Sequence, residues 1–127
     1  MNINRTEKLN VENDVIDKQY NEWLTVINEF HKSILEKKPI DTIEDALLKV
    51  LEYTRFHFKY EEDYMQEQKH PNLEEHKSQH FKYIRDIETY YEKLMTGKLI
   101  LSEKIAEELK MWAINHLKDE EIDYSKE

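Results

Sequence analysis

The sequence predicts an all-α protein, an up-down-up-down antiparallel four-helix bundle with a short N-terminal arm. The 127 residues include one glycine and two prolines, too little turn chemistry for an all-β chain. Long stretches carry apolar residues at alternating spacings of three and four, which is typical of a helix with one buried face. Short links join these stretches, and short links make neighbouring long helices antiparallel. We expect residues 1–127 to form one domain.

The first helix is predicted to begin near Asn13 or Asp14, either of which can cap it, after an irregular arm of about 13 residues. It is expected to end at Lys37-Lys38-Pro39, because proline cannot continue a helix. Its apolar face is predicted to contain Ile16, Tyr20, Leu24, Ile27 and Ile34, with Trp23 and Phe30 beside them.

The second helix is predicted to begin at Asp41 or Thr42 and to run to about Gln68, where His70-Pro71 follows. Asp41 and Glu44 are spaced for a capping box. The inward positions of this helix include a histidine and a glutamate where leucine would be expected. They are Ile43, Leu47, Val50, Thr54, His57, Glu61 and Tyr64.

The third helix is predicted to have Asn72 as its N-cap and to end near Met95, shortly before Gly97. Its inward positions are predicted to be Leu73, His76, His80, Tyr83 or Ile84, Ile87, Tyr90 and Leu94. The fourth helix is expected to begin after Ser102 and to fray past Tyr124. Its inner face is predicted to be Ile105, Leu109, Trp112 and His116, with Ala113 and Leu117 alongside.

Imidazoles and a carboxylate on buried helix faces indicate a metal site. His57 and Glu61 stand four residues apart, as do His76 and His80, so each pair shares one helix face. Burying such groups without partners costs several kcal/mol, and a metal ion can satisfy several of them together. The chain has no cysteine, so the ligands must be His, carboxylate, Tyr or water. The ligands extend over about two helical turns, which favours two ions, with Glu61 bridging them.

Other interpretations apply to single residues. One histidine on an apolar face is usually a core residue bonded to a neighbour, and we favour that interpretation for His116 taken alone. His31 and His70 are expected to be surface or boundary residues. The residues do not choose the metal, and zinc or manganese could occupy these ligands.

Charge and hydropathy exclude several classes of partner. The net charge of -9 argues against nucleic acid and anionic membranes as partners. The polar N-terminus does not resemble a signal peptide, and the aliphatic runs are too short to span a membrane. We therefore expect a cytoplasmic protein, and its charged outer faces favour a monomer.

The order and spacing of these residues resemble the hemerythrin family in its single-domain bacterial form. The family motifs of the second and third helices, His-Phe-x-x-Glu-Glu with a following Met and His-x-x-x-His with a following Phe, are both present. The fourth-helix motif of Trp, His, carboxylate and Tyr and the first-helix motif Ile-Asp-x-Gln are present as well. The matching residues are His57, Phe58, Glu61, Glu62, Met65, His76, His80, Phe81, Trp112, His116, Glu121, Tyr124 and Ile16-Asp17-Lys18-Gln19.

The resemblance implies a non-haem centre of two iron ions that binds dioxygen. On this resemblance one iron is held by the three histidines of the third and fourth helices, and the second iron by His57. Glu61 and Glu121 are the bridging carboxylates, although spacing alone would prefer Glu120. The histidines of the first iron are His76, His80 and His116.

Tyr20 is the main departure, because it stands where the family has a first-helix histidine on the oxygen-binding iron. A phenolate ligand stabilises ferric over ferrous iron. It would therefore oppose oxygen carriage and could suit peroxide or nitric oxide chemistry. Tyr20 could equally be a core tyrosine that points past the metal. An apolar shell of Phe58, Phe81, Trp112, Met65 and Leu117 is expected to exclude water.

These observations favour binding of dioxygen or a similar small ligand, for storage, transport or sensing, over catalysis. Two alternatives remain open. One is a di-iron oxidase or peroxidase that acts on peroxide or nitric oxide, and the other is a partly metallated interaction module.

Overall fold

The computed structural model describes the backbone of residues 11–97 and 103–125, and side chains within 14–97 and 103–116. These ranges contain four α-helices, α1 (Val11–Leu35), α2 (Ile40–Glu67), α3 (Leu73–Met95) and α4 (Glu103–Ser125). α1 packs against α2 and α4, and α2 packs against α3. The Tyr83 hydroxyl of α3 donates a hydrogen bond of 2.8 Å to the Leu109 carbonyl of α4. The predicted four-helix bundle is thus confirmed.

α1 begins at Val11, two or three residues before its predicted start, and most of the predicted arm lies outside the described residues. The buried face of α1 is also rotated from the predicted one, because Trp23 and Phe30 are fully buried while Leu24 and Ile34 are only partly buried. Trp23 can lie in the core because its Nε1 donates to Thr54 Oγ1 of α2 at 2.8 Å. A paired indole N–H removes the main cost of burying this side chain.

The predicted capping box of α2 is wrong. Pro39 is the N-cap, and its carbonyl accepts hydrogen bonds from the amides of Thr42 and Ile43 at 3.0 and 3.1 Å. Asp41 makes no capping hydrogen bond. It lies in the first turn instead, where its negative charge complements the helix dipole.

The other predicted helix ends agree with the structure. Asn72 is the N-cap of α3, although its side chain makes no capping hydrogen bond. Gly97 follows the C-cap with a φ of 72°, a conformation that favours glycine and ends the helix. α2 ends at Glu67, one residue before its predicted end, and α4 begins at Glu103.

The buried faces follow the predicted spacing closely. Every predicted inward residue of α2 is buried, and in α3 Tyr83 rather than Ile84 faces the core. In α4, Leu109, Ala113 and His116 are buried, and Ile105 and Trp112 are partly buried. Among the described residues, no helix is both long and apolar enough to cross a bilayer.

Candidate metal centre

Five of the predicted ligands lie near the end of the bundle where a short turn joins α2 to α3. Two come from α2, two from α3 and one from α4, so three helices supply them. None is more than 3% exposed. The residues are His57, Glu61, His76, His80 and His116.

His76, His80 and His116 form a compact cluster. Each offers one potential ligand atom, and these three atoms lie within 4.8 Å of one another. The ring of His116 meets those of His76 and His80 nearly edge to face, with centroid separations of 5.8 and 4.7 Å. His116 thus belongs to a group of histidines, and the interpretation of an isolated core histidine does not describe it.

The Glu61 carboxylate lies between this cluster and His57. Its Oε2 is 3.3 Å from His57 Nε2, while its Oε1 is 3.5 Å from His80 Nε2 and 4.0 Å from His116 Nε2. The two oxygens of one fully buried carboxylate therefore face different histidines. Such an arrangement suits a carboxylate that bridges two cations.

Two further side chains fix how His57 and His80 present their nitrogens. The Nδ1 of His57 donates to the side-chain oxygen of Gln19 at 3.2 Å, and the Nδ1 of His80 donates to Glu62 Oε2 at 2.8 Å. A proton on Nδ1 leaves the lone pair of a neutral imidazole on Nε2. Outer hydrogen bonds of this kind orient the histidine ligands of metal sites.

The Nε2 atoms of His80 and His116 approach within 2.8 Å of each other. Two nitrogen atoms that bind one ion at right angles, each with a metal–nitrogen bond of about 2.1 Å, are about 3 Å apart. The observed spacing therefore fits two ligands of one cation. Burial lowers the pKa of His116 to about 3, with a smaller contribution from the neighbouring histidines, against the opposing effect of Glu61. His116 is therefore neutral at pH 7 and has a lone pair for a metal. The donor set fits a metal centre.

Aromatic rings enclose the cluster on one side. The Phe58 ring stacks on His80 at a centroid distance of 3.8 Å, and the Trp112 ring stacks on His116 at 4.6 Å. Met65 is fully buried, but the expectation that Phe81 joins this shell is wrong, because Phe81 is 66% exposed. Phe81 follows His80 directly, and adjacent helical positions differ by about 100° around the axis. The side chain of Leu117 lies outside the described residues.

Tyr20 is buried in the core, where its ring meets Trp23 edge to face at 6.1 Å. Trp23 in turn lies 5.2 Å from the His57 ring, and the residue before Tyr20 is the His57 partner Gln19. Tyr20 is thus on the His57 side of the centre, and its role as a ligand stays a prediction. The side chains of Glu120 and Glu121, the two candidates for a second bridge, lie outside the described residues.

Sequence reasoning missed three residues around the centre. Gln19 and Glu62 appeared only as matches to a motif, and a hydrogen bond between helices gives no periodic signal in one sequence. The expectation that His70 is a surface or boundary residue is wrong, because His70 is buried at 6% exposure and its ring meets that of His76 edge to face at 5.6 Å.

Comparisons with known proteins agree with this geometry. The chain is 27% identical to the bacteriohemerythrin of Stenotrophomonas maltophilia over 121 residues, which cover 94% of this chain and 76% of that protein. It is also 27% identical to the bacteriohemerythrin of Pseudomonas aeruginosa over 122 residues, 93% of this chain and 76% of that one. A shorter match of 80 residues, 30% identical, joins it to the bacteriohemerythrin of Clostridium acetobutylicum, with 61% of this chain and 62% of the relative covered. No protein-family model matches the chain.

The fold has a counterpart among solved structures. The crystal structure of a hemerythrin variant with a leucine-to-tyrosine substitution superposes with a TM-score of 0.77 at 22% identity, covering 81% of this chain and 78% of that one. That likeness supports the fold, and the bacteriohemerythrin matches extend over nearly the whole chain. A buried histidine cluster at one end of the same bundle completes the agreement. The similarity to bacteriohemerythrins over nearly the whole chain, together with the shared fold, therefore supports a hemerythrin-family protein.

Proposed function

We propose that this protein holds a non-haem di-iron centre and binds dioxygen or a similar small ligand. The observation that carries the proposal is the position of Glu61, whose two carboxylate oxygens face His57 on one side and His80 on the other. The resemblance to the hemerythrin family implies iron as the metal, and the similarity to bacteriohemerythrins supports that resemblance. Two bound cations would also balance the charge of a carboxylate that is completely removed from solvent.

The proposed ligands divide between the two ions according to their positions. His76, His80 and His116 would hold one ion, and His57 would hold the other, with Glu61 shared between them. We propose Glu121 as a second shared carboxylate and Tyr20 as a candidate ligand on the His57 side. When bound, ferrous iron supplies reversible electron transfer to dioxygen, which the protein side chains cannot supply.

The remaining side chains keep the centre dry and rigid. The rings of Phe58 and Trp112 stack on His80 and His116, which limits access of water to the cluster. Gln19 and Glu62 hold His57 and His80 in the orientation that turns Nε2 inward.

Iron content and an optical spectrum test the proposed function. Protein loaded anaerobically with ferrous iron is expected to contain about two irons per chain, since Glu61 has one oxygen for each ion. Exposure to oxygen should produce a new visible absorption that disappears when oxygen is removed. Iron bound at well under one equivalent, with no stabilisation of the fold on adding iron, would support the interaction-module alternative instead. If zinc or manganese competed equally with ferrous iron for the metal-free protein, that result would contradict iron as the metal.

A di-iron oxidase or peroxidase is the second candidate function, and the position of Tyr20 favours it. Tyr20 is buried one residue from Gln19, whose side chain bonds to His57. A phenol in this region would become an anionic ligand if a ferric ion bound its oxygen and displaced its proton to solvent. It would stabilise the oxidised centre and favour peroxide or nitric oxide chemistry over oxygen carriage.

Substitution of Tyr20 separates the two functions. Tyr20→His is expected to strengthen reversible oxygen binding by roughly tenfold, because a neutral imidazole supports ferrous iron better than a phenolate does. Tyr20→Phe is the matched control, since it keeps the ring against Trp23 but cannot bind a metal. The measurement is oxygen titration followed by visible absorption. A tyrosine-to-iron absorption band in the unaltered protein, absent from both variants, would assign Tyr20 as a ligand and favour the oxidase or peroxidase.

A further inference from the structure

His70, which lies in the turn between α2 and α3, contacts the proposed metal centre without belonging to the predicted ligand set. It is only 6% exposed, although it precedes a proline in a turn of five residues, 68–72, whose other members besides the proline are polar. The ring meets the ring of His76 at 87° with a centroid separation of 5.6 Å. A turn residue is usually exposed, so this burial requires a structural reason.

The backbone at the end of α2 places His70 there. The His70 amide donates to the Met65 carbonyl at 2.9 Å, and the Lys69 amide donates to the Gln66 carbonyl at 3.1 Å. This pair of bonds, with Lys69 at a φ of 55°, is a Schellman motif, which reverses the chain directly after the helix. Met65 is one helical turn beyond Glu61, so the motif ties His70 to the part of α2 that presents the carboxylate.

The side chain of His70 is then tied to the start of α3. Its Nδ1 accepts a hydrogen bond from the Asn72 amide at 3.1 Å. The Asn72 carbonyl in turn accepts the His76 amide at 3.0 Å, which is the first bond of the helix that carries His76. Because Nδ1 is an acceptor, the proton of the neutral His70 ring is on Nε2. That tautomer has no lone pair left for a metal, so His70 is not assigned as a ligand.

We propose that His70 is a positioning residue, whose ring fixes the orientation of the metal ligand His76 relative to Glu61. This inference rests on the proposed function, since it assumes that His76 binds a metal. The ring of His70 limits the rotation of the His76 side chain, and the turn that holds His70 fixes the offset of α3 along α2. Pre-orientation of a ligand by such a neighbour strengthens metal binding because less freedom is lost on binding.

Two substitutions separate the ring contact from the turn hydrogen bond. His70→Asn keeps an acceptor for the amide two residues on, as asparagine does in an Asx-turn, but removes the ring. His70→Phe keeps a ring against His76 and removes the acceptor. His31→Asn on α1 is the matched control, because His31 lies more than ten residues along α1 from Gln19, which bonds to the candidate ligand His57.

The experiment is titration of the metal-free proteins with Co(II), with affinity and ligand-field absorption as the readouts. His70→Asn is expected to bind Co(II) roughly tenfold more weakly, with altered ligand-field bands. His70→Phe should keep the bands and an affinity within about threefold of the unaltered protein, as should His31→Asn. The bands report ligand geometry, which a general loss of stability would not change.

Three results would overturn the proposal. One is a His70→Asn variant with unchanged affinity and bands, and another is an equal loss in His70→Phe, which would assign the effect to the turn instead of the ring. If the unaltered protein failed to bind Co(II), both the metal centre and this role of His70 would be rejected. Normal binding by the unaltered protein and by His70→Asn would reject the role of His70 alone.

Discussion

Glu61→Gln is expected to reduce the iron content from about two ions per chain to one or fewer. Glutamine has nearly the same shape, but it has one oxygen and no charge, so it cannot serve both His57 and His80. Loss of one charge pair at about 4 Å is worth roughly 4 kcal/mol at an effective dielectric constant of 20, an affinity loss on the order of 1,000-fold. The measurement is bound iron after gel filtration, with a visible spectrum of each sample.

Glu52→Gln is the matched control for this prediction, because Glu52 lies on the exposed face of the same helix. It makes the same chemical change outside the centre and should retain about two irons. Circular dichroism should show unchanged helix content in both variants, since the substitution is nearly isosteric. Full iron content in Glu61→Gln would mean that Glu61 does not bridge the ions, and the di-iron proposal would lose its main support.

The inner faces of the bundle were predictable because burial repeats with the helical period. The predicted seam of α2 is buried at every position from Ile43 to Tyr64, including His57 and Glu61. The same period placed His76 and His80 on one face of α3. A polar residue at a position where the period demands burial is the strongest signal that one sequence gives of a buried site.

Features that depend on contacts between helices or on turn geometry were not predictable in this way. Gln19 and Glu62 reach histidines on other helices, and neither distance follows from spacing along one chain. His70 is buried because a Schellman motif turns it inward, and sequence patterns predict such turns mainly when they contain glycine. Phe81 matched a family motif, but a motif match does not state which way the side chain faces. The structure shows it exposed.

Acidification is expected to destabilise the metal-free protein through His116. Burial lowers the pKa of His116 to about 3 in the folded chain, whereas the unfolded chain has the ordinary value near 6.5. Between these two values the unfolded state binds more protons, so the free energy of unfolding falls as the pH falls. The contribution of neutral His116 to the free energy of unfolding is fully present above about pH 6.5. Roughly 2 kcal/mol of it should be lost between pH 7 and pH 5, a range above the pKa of ordinary carboxyl groups.

Urea unfolding of the chelator-treated protein at pH 7, 6 and 5 measures this loss. In His116→Phe the group is absent from both states, so the decrease should be smaller by about 2 kcal/mol than in the unaltered protein. His31→Phe, a substitution of a histidine that lies outside the cluster, should leave the decrease unchanged. An equal decrease in the unaltered protein and in His116→Phe would show that His116 takes up its proton without unfolding.

The low pKa of His116 also affects how the histidine would hold a metal. A histidine that stays neutral well below pH 6 competes weakly for protons, so it can keep its metal in mildly acidic solution.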